Sequence, residues 1–342
     1  MKISFSIIAL VSIGFTLLSV VIATSIGSVD VPFGQVFNSV FVCSNDVGAS
    51  KSHCGVDAVY QKIVWEIRLP RILMALLTGI GLSITGAILQ SVTRNPLADP
   101  YLFGISAGSA LGAVVVISTI SGAMISITFG ALAGGALSVI LMLTLAGRSA
   151  VQVERLLLSG VAVSFMLSAF TSLIVYYSDP ETASTLLFWM MGSFSNSDWG
   201  DLPLPLIAII VGLLLFVVFR RWIGAIQAGD EGAFTLGIPV SQLRLAMLVL
   251  CSIITAVLVA QVGGIGFVGL MIPHICRFIV GSQLHKVLFM CVTLGGSFMV
   301  WVDVIAHTIL ESQVLPVGIV TSAIGSLFFF VILKTRSRTQ SF

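Results

Sequence analysis

Long apolar runs separated by short polar intervals recur from one end of the chain to the other. They fall near residues 4–25, 63–91, 100–119, 123–147, 154–178, 203–221, 241–261, 267–280, 287–308 and 317–334. A helix needs about 20 apolar residues to cross a hydrocarbon core of about 30 Å. The pattern therefore predicts an all-α, polytopic membrane protein of about ten transmembrane helices. The first run is longer than the apolar region of a signal peptide and only Lys2 precedes it, which predicts an uncleaved span. The eighth run is short, contains Pro273 and follows Gly263, Gly264, Gly266 and Gly269. That predicts a broken or re-entrant entry, which a membrane protein tolerates only inside the bundle or beside a water-filled cavity.

Composition agrees. Charged residues make up 9% of the 342 residues and hydrophobic ones 57%, whereas a soluble domain carries roughly 25% charged residues. The net charge of +2 gives no reason to expect nucleic acid. The placement of charge is more informative. With ten spans, Lys2, Arg94, Arg148, Arg155, Arg220, Arg221, Arg244, Arg277, Lys286, Lys334, Arg336 and Arg338 share one side, leaving Lys51, Lys62, Arg68 and Arg71 on the other. Basic residues collect on the cytoplasmic side, so both termini are expected there. Two connections are long: an external, periplasmic loop over 26–62 and a cytoplasmic segment over 222–240. No soluble domain interrupts the chain, which reads as one transmembrane domain over 1–342.

Few motifs carry chemistry. Gly104, Gly108 and Gly112, like Gly130 and Gly134, recur every four residues, a pattern that lets helix backbones approach closely. Gly264-Ile265-Gly266-Phe267-Val268-Gly269 fits the dinucleotide fingerprint, but no strand–helix unit surrounds it and no acidic residue follows at the required distance. A phosphate-binding G-x-x-x-x-G-K-[ST] loop is absent from the sequence. His53, His274, His285 and His307 lack metal-ligand spacing, and no set of catalytic side chains converges, so neither a cofactor nor an enzyme is expected. Cys43 and Cys54 share the external loop and would either form a disulfide or remain free thiols. Ionisable groups within spans are scarce. Asp303 and Glu66 sit toward outer ends, which weakens an ion-coupled secondary carrier, the main alternative.

Arg68-Leu69-Pro70-Arg71 lies on the side otherwise poor in positive charge. The two arginines either snorkel to headgroups or present guanidinium forks to an acidic soluble partner. The stretch from Ala225 to Val240, with Gly229, Asp230, Glu231, Leu236 and Gly237, is either a surface helix or one that docks into another protein.

The chain resembles the permease subunits of bacterial ATP-binding-cassette importers for iron–siderophore complexes, haem and cobalamin. The resemblance rests on Arg68-Leu69-Pro70-Arg71, on Arg94-Asn95-Pro96-Leu97-Ala98-Asp99-Pro100, and on Leu157-Leu158-Ser159-Gly160. Further matching blocks are Trp189-Met190-Met191-Gly192-Ser193, Leu236-Gly237-Ile238, Gly266-Phe267-Val268-Gly269-Leu270-Met271-Ile272-Pro273-His274 and Leu315-Pro316-Val317-Gly318. It implies ten helices in a cobalamin-permease-like bundle in the inner membrane. A second permease subunit, identical or a sister, two ATP-binding subunits and a periplasmic substrate-binding protein are the implied partners. It also implies that Arg68 and Arg71 dock the binding protein, with His307 as a third contact. Histidine is largely neutral above about pH 6.5, so that contact would be weaker or pH-dependent. The resemblance further implies that 222–240 couples to the ATPase and that a gate lies at Val153 and Glu154.

Overall fold

The computed structural model describes residues 4–27, 31–39, 58–119, 124–147, 153–310 and 313–339. Its first helix is α1 (Phe5–Ser25). The external segment contributes α2 (Phe33–Phe37) and α3 (Ala58–Lys62), and α3 runs through a π-helical turn, Ile63–Arg68, into α4 (Leu69–Thr93). Next come α5 (Ile105–Thr119), α6 (Met124–Ala146), α7 (Val153–Tyr177), α8 (Pro180–Met190) and α9 (Pro203–Val218). Two short helices, α10 (Arg220–Ala228) and α11 (Asp230–Thr235), lead to α12 (Val240–Val262) and α13 (Val268–Val280). The last passages are α14 (Leu284–Met290), joined through a π-helical turn to α15 (Gly296–Thr308), and α16 (Val317–Thr339).

The ten apolar runs thus fold as α1, α3–α4, α5, α6, α7, α9, α12, α13, α14–α15 and α16. The expected all-α polytopic bundle is the observed one. Six passages are long apolar helices, α9 belongs to a bent pair, and α5, α13 and the apolar part of α16 are shorter. The expected eighth span is α13, thirteen residues containing Pro273. At 1.5 Å per residue it covers only about 20 Å, and the glycine-rich stretch before it completes the passage.

At the centre lies α4, buried almost from end to end and packed against α12, α13 and α15. Water is not there to serve its hydroxyls. Ser83, Thr85, Ser91 and Thr93 donate to carbonyls one turn back, on Gly79, Gly81, Ala87 and Leu89. A second group, α5–α6–α7, leans on α12. There the four-residue glycine spacing does what it predicts: a β-carbon on Gly108 or Gly112 would overlap the backbone of Gly134 or Gly130. Outward faces remain apolar, as with Leu10, Val11 and Leu17 on α1 and Ile207, Ile210 and Leu214 on α9. Lipid tails are as apolar as these side chains, so such exposure carries no hydrophobic cost in a bilayer.

Two elements depart from the sequence reading. The sixth span ends at Val218 rather than 221, and the chain turns 64° into α10. Helix α8 lies between spans where no element was expected. Its start is written in Asp179-Pro180: the Asp179 carboxylate accepts from the Glu181 and Thr182 amides, and proline suits the first helical position.

Candidate functional site

Three regions gather polar groups. The first is the rim expected to face outward. Arg68 and Arg71 occupy the junction of the π turn and α4, and both are buried, at 3% and 6% exposure. Arg68 Nη1 donates to the carbonyls of Thr24 and Ser25, at 2.8 and 2.9 Å, closing the C-terminal end of α1. Carbonyls there lack helical partners and carry the negative end of the helix dipole, so a guanidinium suits them. Arg71 Nε stands 3.0 Å from Oδ2 of Asp303, a carboxylate on α15 with no exposed surface. The N–H is not aligned onto the oxygen, and Arg71 Nη2 also has no aligned partner, so charge rather than hydrogen-bond geometry holds the pair.

His307, one turn beyond Asp303, extends the cluster. Its Nδ1 lies 3.0 Å from the Asp303 carbonyl and 3.2 Å from Oδ1, while Nε2 lies 3.2 Å from Ser195 Oγ. In the neutral tautomer with the proton on Nδ1, the Ser195 hydroxyl donates to Nε2 and itself accepts from Ser193. Nearby, Trp199 Nε1 donates to the Trp65 carbonyl and the two indoles stack at 5.7 Å. In this chain both guanidinium groups are turned inward, Arg68 onto the end of α1 and Arg71 onto Asp303. The reason is physical. Burial beside the end of α1 and beside Asp303 supplies partners that the local sequence does not reveal. The same burial explains two arginines on the side where flanking charge is otherwise sparse.

The second region is a cleft of about 680 Å3 between α5, α7, α16 and the segments after α8 and α12. Hydroxyls line it, from Tyr101, Ser106, Ser164, Ser168, Thr171, Ser172 and Ser322, and among the described residues no charged side chain does. Backbone closes one end. Gly192 accepts from the Val317 amide, Met191 from Gly318, and Val262 from Ser193. Non-helical backbone at this depth is thus satisfied within the protein, as a bilayer demands. Trp189 borders both this cleft and a neighbouring one of about 490 Å3 that contains Asn196, Gln261 and Pro316 and, among the described residues, no charged side chain.

The third region is the turn expected to be cytoplasmic. Gly229 separates α10 from α11, and Gly237 ends α11 with a left-handed φ of +76°. Phe234 and Leu236 project from the turn, 75% and 73% exposed. Asp230 is held by Arg244, 2.9 Å from Nη2 to each oxygen, and Arg244 Nε donates to the Val92 carbonyl at the end of α4. Arg277, on α13, reaches Gln90 of α4, whose amide donates to Gly269. Sequence reasoning singles out Asp230 and notes Asp303 as a carboxylate near an outer end, but it does not join Asp230 to Arg244, Asp303 to Arg71 or Gln90 to Arg277.

Of the remaining expected sites, Glu154 is exposed in the first turn of α7, where a carboxylate suits the helix's positive end. Val153 begins that helix, and Glu231 lies in the first turn of α11. Cys43 and Cys54 lie outside the described residues. Among the described residues no His, Cys, Asp and Glu groups cluster as metal ligands.

Comparison with known proteins places this arrangement. The chain is 38% identical over 283 residues to a cobalamin import system permease of Halobacterium salinarum, covering 82% of this chain and 76% of that one. It is 32% identical over 327 residues to a molybdate import system permease of Haemophilus influenzae, covering 95% of each. A third relative is an Fe(3+)-citrate import system permease of Bacillus subtilis, 34% identical over 274 residues, covering 80% of this chain and 82% of that one. A solved metal-chelate type ABC transporter in an inward-facing conformation superposes with a TM-score of 0.83 at 28% identity, covering 96% of this chain and 99% of that one. Residues 15–335 match the FecCD transport family, and the chain belongs to that family, as the membrane-spanning permease of an ABC importer whose ATPase is a separate subunit.

Proposed function

We propose that this permease carries a bulky metal chelate, of the iron–siderophore, haem or cobalamin class, through the hydroxyl-lined cleft. The observation that carries the reading is that cleft's lack of charge. A small oxyanion such as molybdate would be drawn to cationic donors, whereas a large chelate needs a wide, weakly binding wall from which it can leave. Ser168, Ser172 and Ser322 are exposed on the single chain, so a second permease subunit, identical or a sister, is needed to close the cleft into a conduit.

In this reading two ATP-binding subunits engage the turn over 222–240 through Phe234 and Leu236. ATP-driven closure of those subunits rocks the paired bundles between outward and inward access. The gate at the inner mouth is assigned to the start of α7, at Val153 and Glu154. A periplasmic binding protein delivers the chelate to the outer rim. Arg68 and Arg71 enter the proposal as organisers of that rim, because burial directs their charge into the bundle, and His307 joins them through its contacts to Asp303 and Ser195. The chain sits in a bacterial inner membrane with both termini cytoplasmic, which the segregation of basic residues supports.

The test is uptake in a deletion strain complemented with this chain, offered iron–siderophore complexes, haem, cobalamin and molybdate in turn. Rescue of one chelate supports the proposal; rescue of molybdate alone overturns it.

A further inference from the structure

Where α9 meets α10, the structure opens a cleft of about 770 Å3 that is unlike the hydroxyl-lined one. Arg220, Arg221 and His285 line it, together with Ser282, Gln283 and Gln227. Among the described residues no acidic side chain does, and neither arginine has an ion-pair partner. Both arginines are exposed. They also stand in the first turn of a nine-residue helix whose preceding residue, Phe219, provides no side-chain cap. Positive charge is disfavoured at that end of a helix, where unpaired amides already carry partial positive charge. Two guanidinium groups placed there without a carboxylate leave an electrostatic deficit that a bound anion would remove.

The position of the cleft identifies the source of the anion. The apolar stripe of Ile207, Ile210, Leu214 and Val218 runs along α9 directly to the bend. Just past it Trp222, 42% exposed, packs against Phe219 at 5.5 Å between centroids. An indole at the end of an apolar stripe marks the headgroup level of a bilayer. Basic pockets between helices at that level suit phosphate-bearing headgroups, and guanidinium forks match phosphate oxygens. We propose that this cleft binds the phosphodiester headgroup of an anionic phospholipid, with Arg220 and Arg221 as its principal contacts. The site is independent of which chelate the permease carries.

The test uses the complete permease complex extracted from its membrane, with retained phospholipid measured by native mass spectrometry. Wild type is expected to retain phosphatidylglycerol or cardiolipin. Arg220→Gln with Arg221→Gln should lower that retention about thirtyfold, at about 1 kcal/mol per basic residue near an anionic surface and about 1.4 kcal/mol per tenfold. A second variant guards against misfolding. Gly224 lines the cleft, and a β-carbon added there would meet nothing within 4 Å, so Gly224→Glu fits and sets a carboxylate against the phosphate. It should also lower retention, while Gly224→Lys should preserve or raise it. Unchanged retention in the double glutamine variant and in Gly224→Glu overturns the proposal. Displacement of the lipid by inorganic phosphate alone would mark a free-anion site and also overturn it. So would loss of the ATPase subunit from the glutamine variant with lipid retained, which would assign this face to the protein partner.

Discussion

Both carboxylate oxygens of Asp230 lie 2.9 Å from a single nitrogen, Arg244 Nη2. The same guanidinium donates through Nε to Val92, in the last turn of α4. One side chain thus fastens the cytoplasmic turn to the end of the most deeply packed helix. In the proposed coupling, a push on α11 from an ATPase would reach the centre of the bundle through these two contacts.

Cutting that link should separate hydrolysis from transport. With Asp230→Asn the turn still folds, because the Asp230 side chain is 43% exposed and solvent screening keeps the cost to about 1 kcal/mol. Arg244 itself is 5% exposed, so Arg244→Gln should destabilise more. The expected outcome for Asp230→Asn is continued ATP hydrolysis with less substrate moved per ATP, read in proteoliposomes containing the assembled importer. Unchanged stoichiometry would remove Asp230 from the coupling path.

At the outer rim, Arg71→Leu or Asp303→Leu alone should cost about 3–5 kcal/mol by leaving one buried charge unpaired. Joining the two substitutions should recover most of that loss, which thermal unfolding in detergent can measure. Docking gives an independent readout. If Arg71 instead met the binding protein directly, Arg71→Leu with Asp303→Leu would abolish complex formation even with stability restored. Inward pairing predicts that the double variant still binds.

Two glycines should respond differently to the size of the residue that replaces them. At Gly112 a β-carbon would overlap the Gly130 backbone of the neighbouring helix, so Gly112→Leu should cost more than Gly112→Ala, and both should lower the yield of folded permease. At Gly237 there is open space but φ is +76°. An L-residue there is penalised by its backbone, by about 1–2 kcal/mol, so Gly237→Ala and Gly237→Leu should have similar effects. Folded yield and melting temperature distinguish the two patterns.

Much of the architecture can be read from the pattern of residues, because hydrocarbon thickness and backbone hydrogen bonding leave few solutions. The apolar runs mark the ten passages, and the four-residue glycine spacing marks where α5 and α6 meet. What stays hidden is long-range. Arg68-Leu69-Pro70-Arg71 stands out in the sequence, but nothing near it shows that Thr24 and Asp303 will enclose it, so its burial cannot be read locally. Arg244 looks like one more cytoplasmic cation until Val92 and Asp230 are brought to it. The bend after Val218 is masked because Phe219 prolongs the apolar run. Helix α8 escapes the apolar pattern, even though Asp179-Pro180 is a readable start signal.

Reconstitution of this chain with its ATPase and binding protein in proteoliposomes, with uptake followed for an iron chelate, haem, cobalamin and molybdate, decides whether this is an ATP-driven chelate permease. The expected result is accumulation of one metal chelate that requires ATP hydrolysis and is insensitive to collapse of ion gradients. Accumulation driven by an ion gradient without ATP, or of molybdate and no chelate, would contradict it.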